Sequence, residues 1–355
     1  MNHGGTVDAA SHNYPLGIAV DPEGGIYIAD PVYGQLGSFT AHIANNNGAG
    51  NSGGPSANNL TNPTGVALDS KGGIFVNDRD NHRVLHFPKG VTTADRVYGQ
   101  FGSFQGAMTN NDGGGNYGEP SVANIGTYTL GVVVDKDDGL YVSDATNHRV
   151  LYFANDGDTT ADRVYGQWDN MTTGLRNSDG NGRMGGPNAR SLNFPRGLAV
   201  DTFGGLYVAD RDNNRVLYFA GDGDTVADRV YGQSDNMTVN TDGNNGKGEP
   251  GAPAPHNLSH PKGVAVDAGG RVYIADSMHH RVLSYAPGQT AAERVWGQGG
   301  KFGDGVTNND GQGQSGRTGP DNFNLPQNLW IDPAGMLYVT DTGNSRTLVI
   351  NTEAR

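Results

Sequence analysis

The sequence has no cysteine, no long apolar run and a deficit of positive charge. The lack of cysteine excludes disulfide bridges and thiol nucleophiles. No stretch approaches the ~18 apolar residues of a transmembrane helix, and residues 1–10 lack the basic and apolar regions of a signal peptide. The chain has 37 acidic and 24 basic residues and a net charge of −13. Nucleic acid and anionic membranes are therefore poor candidates for its main partner.

Helical periodicity is also missing, and glycine is abundant instead. No segment repeats apolar residues with the 3.6-residue period of a helix, so almost no helix is expected. Glycine accounts for 57 of the 355 residues, without the Gly-X-Y period of collagen. This content indicates many turns, where glycine supplies positive φ angles.

One phrase occurs six times along the chain. It reads Pro-x-Gly-Val-Ala-Val-Asp, then Ile-Tyr-Val-Ala-Asp after a short turn, then Asn-x-Arg-Val-Leu-x-Phe after a polar turn. A second phrase, Ala-Asp-Arg-Val-Tyr-Gly-Gln, follows most copies. The aspartate that ends the first part recurs after 48 residues and then after 66, 66, 66 and 65. These aspartates are Asp21, Asp69, Asp135, Asp201, Asp267 and Asp332.

Each copy contains four short β-rich runs, which we call strands a, b, c and d. A four-stranded unit repeated six times predicts an all-β, six-bladed β-propeller that forms a single domain over residues 1–355. A β-helix fits less well, because its rungs are far shorter than 66 residues. The cores formed by strands a and b are expected near residues 15–30, 63–78, 129–144, 195–210, 261–276 and 326–341.

The pattern resembles the NHL-repeat family. The resemblance is clearest at residues 62–67 (Asn-Pro-Thr-Gly-Val-Ala) and 80–84 (Asp-Asn-His-Arg-Val), and it covers nearly the whole chain. It implies the propeller architecture but no particular activity, because propellers carry many unrelated functions. The repeats here are longer than those usual in the family. The excess is an Asn/Gly-rich insertion between strand d and the next strand a.

The first and last copies are irregular. The first interval is 18 residues shorter than the next, and the gap falls between Asp30 and Val32. We therefore expect the first blade to lack strand c. The sequence ends after a strand c, so the last blade is expected to lack strand d. Open sheet edges pair readily with other chains, which gives one functional alternative: a structural assembly subunit that self-associates through open blade edges.

An arginine of the b–c turn and an aspartate at the end of strand b recur in five copies. A ring of anion-binding arginines is one interpretation. A structural clamp in every blade is the better one, because the planar guanidinium suits bidentate pairing with a carboxylate. The predicted clamps are Asp78–Arg83, Asp144–Arg149, Asp210–Arg215, Asp276–Arg281 and Asp341–Arg346.

The insertions share an Asn-x-Asp-Gly core that could serve calcium, the one cofactor for which the sequence offers ligands. Calcium takes six to eight oxygen ligands, but each loop supplies only one or two carboxylates, and Asx turns explain the same residues. The histidines of the b–c turns, His82, His148 and His280, are expected to be solvated rather than to bind zinc. The calcium candidates are Asp112, Asp179, Asp242, Glu249 and Asp310.

No catalytic motif of the P-loop, nucleophile-elbow or His-Glu-x-x-His type is present. The peptide-amidating lyases, which look similar in fold, place metal-binding histidines directly after the proline that opens strand a. The equivalent positions here hold no histidine. Two of them, in adjacent copies, are cationic and could hold an anion near the axis, although solvated charges are the better interpretation. The six positions are Leu16, Thr64, Leu130, Arg196, Lys262 and Gln327.

The predicted strand order places the long insertions and the b–c turns on one face. Loops on a rigid scaffold commonly carry recognition. We therefore predict a non-catalytic binding or scaffold propeller, bacterial and secreted or displayed at the cell surface, that recognises a glycan, peptide or protein and neither binds nucleic acid nor inserts into a membrane. A metal-dependent hydrolase or lyase acting in the axial channel is the alternative. The predicted binding residues are Tyr117, Trp168, Arg183, Arg196 and Lys262.

Overall fold

The structure is a computed structural model that describes residues 18–20, 26–28, 44–49 and 51–353, with only the backbone of the first two segments. It consists of β-strands and single-turn 3-10 helices. None of the helices in these residues is long or apolar enough to cross a membrane. The chain divides into two compact units, residues 1–164 with 169–174 and residues 165–168 with 175–355.

The first unit contains a hairpin and two four-stranded antiparallel sheets, which we call blades A and B. The hairpin pairs β1 (Ile18–Val20) with β2 (Ile26–Ile28). Blade A consists of β3 (Pro63–Leu68), β4 (Ile74–Asp78), β5 (Arg83–Phe87) and β6 (Arg96–Tyr98). Blade B consists of β7 (Thr129–Val134), β8 (Leu140–Asp144), β9 (Arg149–Phe153) and β10 (Arg163–Tyr165).

The second unit contains blades C, D and E, and the last of these has three strands. Blade C consists of β11 (Pro195–Val200), β12 (Leu206–Asp210), β13 (Arg215–Phe219) and β14 (Arg229–Tyr231). Blade D consists of β15 (Pro261–Val266), β16 (Val272–Asp276), β17 (Arg281–Tyr285) and β18 (Arg294–Trp296). Blade E consists of β19 (Pro326–Ile331), β20 (Met336–Asp341) and β21 (Arg346–Asn351).

The fold is an all-β propeller fold, but the described residues show five blades where six were predicted. Among the described residues, the first copy of the repeat contributes two short strands, those of the hairpin. Residues 29–43, where strand c was predicted to be missing, lie outside the described residues. The three-stranded blade E has no strand d among the described residues, as its sequence indicated.

Short 3-10 turns join strand b to strand c in every blade. Each ends in a residue with the left-handed conformation, such as Asn214 at φ 53°. A glycine is not needed there, since an asparagine or histidine adopts this conformation with modest strain. These turns are Arg79–Asn81, Ala145–Asn147, Arg211–Asn213, Ser277–His279 and Thr342–Asn344, and two further 3-10 turns, Gln100–Gly102 and Gln233–Asp235, follow strand d.

The core lies between neighbouring blades, because both faces of each sheet are covered. Strand b is fully buried in blades A to D. The aromatic residue of strand d packs edge-on against the strand c aromatic of the next blade. The ring centroids of Tyr98 and Phe153 are 5.1 Å apart in the first unit, and those of Tyr231 and Tyr285 are 5.1 Å apart in the second. Such edge-to-face pairs add to the stabilisation from burial.

The arginine of each b–c turn is clamped to the aspartate that ends strand b. In blade C, Arg215 is completely buried, and its Nε donates to Asp210 Oδ2 at 2.8 Å. Its Nη1 and Nη2 atoms donate to the carbonyls of Met237, Asn188 and Ser191. The structure brings all five sequence-predicted pairs together at 2.7–2.8 Å: Asp78–Arg83, Asp144–Arg149, Asp210–Arg215, Asp276–Arg281 and Asp341–Arg346.

The clamp gives a stability prediction with an internal control. Arg215→Ala removes four hydrogen bonds and leaves Asp210 buried without its counter-charge, so we expect a loss of about 3–5 kcal/mol in the free energy of unfolding. Arg346→Ala should cost less, because Arg346 is 23 % exposed and makes three such bonds. Urea denaturation of both variants measures the difference. An equal loss in the two variants would contradict the clamp as the main stabilising contact.

Candidate functional site

Each insertion loop folds into a small hairpin held by two consecutive polar side chains. In the loop after blade A, Asn111 Oδ1 accepts hydrogen bonds from two backbone N–H groups at 2.9 and 3.0 Å. Asp112 Oδ1 accepts two more at 2.7 and 3.0 Å. These are Asx turns, in which the side chain replaces a backbone partner. The later loops use Ser178 with Asp179, Asn244 with Asn245, and Asn309 with Asp310.

Four of the five calcium candidates accept hydrogen bonds within these loops. Hydrogen bonds from backbone N–H groups lower the pKa values of Asp112 and Asp179 below the usual range. Asp310 accepts from the backbone in the same way, and Glu249 accepts from the side chain of Asn245 at 3.2 Å. In the part of the chain that the structure describes, no three His, Asp or Glu side chains converge at metal-binding spacing. Calcium binding, including at Asp242, stays a prediction.

Reciprocal asparagine pairs join the loops to the b–c turns, and the sequence analysis missed them. Asn177 Nδ2 donates to Asn213 Oδ1 at 3.0 Å, and Asn213 Nδ2 donates back at 2.8 Å. The signal was available in the sequence as an asparagine at the start of four of the five loops and another 36 or 37 residues later. Equivalent pairs are Asn45–Asn81, Asn110–Asn147 and Asn308–Asn344, whereas blade D has Gly243 and His279 at these positions.

Three of the predicted binding residues lie in the loops, and their surroundings differ. Tyr117 is 68 % exposed, and Arg183 is also exposed. Trp168 is 41 % exposed, but its ring lies against Gly180 and its Nε1 donates to the Ser178 carbonyl at 2.7 Å. The guanidinium of Arg190 lies 5.4 Å from the Trp168 ring centroid. Trp168 therefore holds its own loop in place, whereas Tyr117 and Arg183 present surface for contact.

The other two predicted binding residues, Arg196 and Lys262, are neighbours in the second unit. They are the second residues of β11 and β15, just after the insertion loops. The inner strands approach closely here: a Cβ on Gly197 would stand 2.5 Å from the Lys262 carbonyl oxygen, and one on Gly263 would stand 2.2 Å from the Gln327 carbonyl oxygen. Only glycine permits this close approach of the strands. Arg196, Lys262 and Gln327 therefore lie on three adjacent strands, each as the second residue of its strand.

The electrostatic environment of Lys262 is unusual. Burial, together with the positive charges of Arg196 and Arg211, lowers the pKa of Lys262 to about 8. No carboxylate of the described residues offsets this shift. We call Arg196, Arg211 and Lys262 the cationic cluster. Like charges near one another disfavour the protonated lysine.

Arg211 is only partly neutralised within the protein. Its Nη1 lies 3.2 Å from Asp212 Oδ1, and both side chains are about one-third exposed. Its guanidinium stacks on Phe194, with 5.3 Å to the ring centroid. Its Nε is buried and has no hydrogen-bond partner among the described residues. A buried donor without a partner costs free energy unless a ligand or water supplies the acceptor.

Two of the turn histidines, His82 and His280, are half-buried rather than solvated as expected, because they contact the next blade. His280 Nδ1 accepts a hydrogen bond from the Leu325 N–H at 3.1 Å, and His82 Nδ1 lies 3.2 Å from the Gly126 carbonyl oxygen. Burial lowers the pKa values of both histidines. The positive charge of Lys262 also lowers the pKa of His280. His280 is therefore neutral near pH 7 and adds no positive charge to the cationic cluster.

The equivalent positions of the first unit carry no charge. Thr64 is buried and donates to the Thr129 carbonyl at 3.0 Å, and Leu130 is buried as well. The cationic cluster is therefore not a property of the repeat. A feature present in every blade indicates a structural role, as for the clamps, whereas a departure confined to two neighbouring blades indicates a specific site.

Comparison with known proteins agrees with the fold. The NHL-repeat model matches residues 60–87, 192–219 and 258–285. A protein of unknown function from Bacteroides thetaiotaomicron is similar in structure, with 14 % identity, 98 % of this chain and 71 % of that chain covered and a TM-score of 0.57. No curated protein sequence matches the chain.

Two similar structures are enzymes. Catalytically inactive virginiamycin B lyase from Staphylococcus aureus, solved with quinupristin, has 12 % identity, coverage of 100 % and 88 %, and a TM-score of 0.51. A gluconolactonase from Xanthomonas campestris has 15 % identity, coverage of 84 % and 79 %, and a TM-score of 0.46. At these identities the likeness shows the fold alone.

The lowered pKa of Lys262 predicts a stabilising substitution. The unfolded chain holds this proton up to its ordinary pKa of 10.5, whereas the folded chain releases it near pH 8. Below pH 8 the folded state therefore bears the full penalty, which disappears as the pH rises from 8 to 10.5. Lys262→Met should raise the melting temperature at pH 7 by about 2 °C and lose this advantage above pH 10.

Lys247→Met is the matched control, because Lys247 lies on an exposed loop of the same unit. Differential scanning calorimetry of both variants and the unsubstituted protein at pH 7 and pH 10.5 makes the comparison. A destabilised Lys262→Met variant at pH 7 would show that Lys262 contributes attractive contacts instead.

Proposed function

We propose that this chain, an NHL-repeat β-propeller, is a non-catalytic binding module that recognises an anionic group on a glycan, peptide or protein at the cationic cluster. The observation that carries the proposal is the position of Lys262, whose pKa is lowered by burial and by the charges of Arg196 and Arg211 and is raised by no carboxylate of the described residues. Functional sites commonly hold groups with perturbed pKa values that stability alone would not favour. An anion beside Lys262 would remove the penalty.

The chemistry of the cluster favours a carboxylate or a phosphate. A guanidinium presents parallel N–H donors that match the two oxygens of such a group, and an ammonium adds a compact charge. The chain as a whole has a net charge of −13, so an extended polyanion would be repelled. A ligand with one or a few anionic groups on a neutral body fits both facts.

The insertion loops supply a second contact region in this proposal. Their backbone is fixed by Asx turns, which lowers the entropy lost on binding. Exposed Arg183, in the same unit as the cationic cluster, is one of the side chain types that contribute most at interfaces. A glycan or an extended peptide suits such small polar hairpins, and we place the protein outside the cell or on its surface, where such ligands are met.

A hydrolase or lyase remains the alternative proposal. The virginiamycin B lyase likeness lies at 12 % identity, so it does not bring that activity to this chain. The two functions differ in a measurable way. A binding module returns its ligand unchanged, whereas an enzyme releases products.

Ligand panels test the cationic cluster directly. We expect acidic oligosaccharides or acidic peptides to bind more tightly than neutral ones of the same length. Lys262→Gln and Arg196→Gln should each weaken binding about tenfold, the scale of one charged hydrogen bond. Binding should also weaken as the pH rises above about 8, because unliganded Lys262 loses its proton there.

Lys247→Gln is the control for a general loss of positive charge. Mass spectrometry of the ligand after incubation separates binding from turnover. Equal affinity for neutral and acidic ligands, or unchanged affinity in both cluster variants, would refute the anion site. Conversion of the ligand to products would favour the enzyme.

The loop residues give a second test that separates binding from packing. Arg183→Ser should weaken ligand binding with little effect on the melting temperature, because its side chain is exposed. Trp168→Ser should lower the melting temperature, because it removes the contact with Gly180 and the hydrogen bond to Ser178. Thermal melts and the same binding assay check both. An Arg183→Ser variant with unchanged affinity would exclude that loop from the ligand site.

A further inference from the structure

Asparagine is followed directly by glycine at three places in the chain, and each place lies in an insertion loop. The pairs are Asn47-Gly48, Asn181-Gly182 and Asn245-Gly246. All six residues are exposed. In such a pair the backbone nitrogen of the glycine can attack the side-chain amide of the asparagine, because glycine adds no side chain that hinders the approach and adopts many backbone angles. Exposure does not distinguish the three pairs, but their hydrogen bonds do.

Two of the pairs are held at both reacting groups. In the loop after blade C, the Gly246 N–H donates to Asn244 Oδ1 at 2.9 Å. Asn245 Oδ1 accepts from two backbone N–H groups at 2.9 and 3.4 Å, and its Nδ2 donates to Glu249 at 3.2 Å. In Asn47-Gly48 the glycine N–H is held at 2.9 Å and the asparagine Oδ1 accepts at 2.9 and 3.3 Å. Attack in either pair requires these bonds to break first.

The third pair occupies a different position in its loop. Asn181 lies at the hairpin tip, two residues after Asp179, and Asp179 is the residue whose side chain closes the turn. Asn181 Oδ1 accepts no hydrogen bond among the described residues, and Asn181 Nδ2 has only a long contact of 3.4 Å with the Asp179 carbonyl. The Gly182 N–H donates to no residue that the structure describes. Gly182 also faces open space, since a Cβ there would meet nothing within 4 Å. Neither reacting group is restrained.

A single residue of the loop explains why the Gly182 N–H is not held. In the loops after blades A, C and D, the equivalent glycine donates to the Oδ1 atom of the asparagine that begins the hairpin. The loop after blade B begins its hairpin with Ser178, whose shorter side chain reaches only the Gly180 N–H, at 3.3 Å. The bonds in the other loops are Gly115 to Asn111 at 3.0 Å, Gly248 to Asn244 at 2.9 Å and Gly313 to Asn309 at 3.1 Å.

We infer that Asn181 is a site of spontaneous covalent modification, at which the Gly182 nitrogen displaces the side-chain amide. The nitrogen gives up its proton and forms a bond to Asn181 Cγ. The Cγ–Nδ2 bond breaks, and ammonia leaves with that proton. The chain then contains a succinimide ring, which one water molecule opens at either carbonyl to give aspartate or isoaspartate. The reactants are the chain and water alone.

Either product changes the loop that carries Arg183. The new carboxylate lies two residues from Asp179 and two from Arg183. Isoaspartate also adds one carbon to the backbone between the N–H groups of residues 181 and 183, which both donate to Asp179 Oδ1, at 2.8 and 3.1 Å. The longer backbone disrupts this Asx turn. The inference goes beyond the proposed function and is independent of the cationic cluster.

Peptide mapping by mass spectrometry of the full chain, incubated in mildly alkaline buffer, tests the selectivity. In the folded protein we expect Asn181 to react about tenfold faster than Asn47 or Asn245, because the hydrogen bonds of those pairs must break before attack. In urea the three pairs should react at similar rates. Methylation by an isoaspartate-specific methyltransferase identifies the isoaspartate product.

Three outcomes would overturn the inference. One is equal reaction at the three asparagines of the folded chain, and another is no reaction at Asn181. The third is a preference for Asn181 that persists undiminished in urea, because its cause would then lie in the local sequence rather than in the hydrogen bonds of the loop.

Ser178→Asn tests the proposed cause, since it restores the acceptor that the other loops have. The Gly182 N–H should then be held, and the reaction at Asn181 should slow about tenfold. Ser178→Ala is the matched control, because it changes the same residue without supplying that acceptor, and it should react as fast as the unsubstituted chain. A Ser178→Asn variant that keeps its melting temperature and its rate of reaction would reject the explanation. Should that variant melt lower, the comparison of the unsubstituted chain with and without urea decides.

Discussion

The buried pairing of one arginine with one aspartate in each blade is the contact on which the rest of the fold depends. The aspartate ends strand b, and its second oxygen accepts from the N–H of a residue just before strand a, as Asp210 does from Asn193 at 2.7 Å. The arginine begins strand c and donates to carbonyls at the end of the insertion loop and beyond strand d. Four separate segments thus meet at one ion pair. Removal of either partner leaves a buried charge, which is far more costly than the loss of an exposed salt bridge.

This arrangement explains how long loops with so few apolar residues stay ordered. The loops cannot form a core of their own, so their polar backbone must be satisfied by other means. The clamp arginine donates hydrogen bonds to two loop carbonyls. The asparagine pairs join the start of the loop to the b–c turn. Asx turns close the tip of the loop. Hydrogen bonds replace hydrophobic burial as the source of loop order. This is why the loop sequences are rich in Asn and Gly.

Much of this could be predicted from sequence, and the failures have physical causes. The clamps were predictable because arginine follows aspartate by five residues in five of the six copies, across one short turn. The number of blades was not, since the described residues of the first copy form a two-stranded hairpin. Trp168 was chosen for its size, but nothing local shows that its ring lies on Gly180. The electrostatics of Lys262 depend on Arg196, which is 66 residues earlier and is brought near only by the packing of inner strands.

Because the blades repeat, residues that the fold needs can be distinguished from residues with another role. A fold without repeats does not offer this comparison. The five clamps and four asparagine pairs are the stabilising contacts that the blades share. A residue that departs from this pattern in one blade can therefore be compared with the equivalent residues of the other blades. Lys262 and Arg196 are charged, whereas the equivalent positions of the first unit hold the uncharged residues Thr64 and Leu130. Blade E departs by having three strands among the described residues, and its arginine alone lacks the fourth hydrogen bond among the described clamps. The proposed function rests on the departure by charge, because a feature that recurs in every blade is already explained by the stability of the fold.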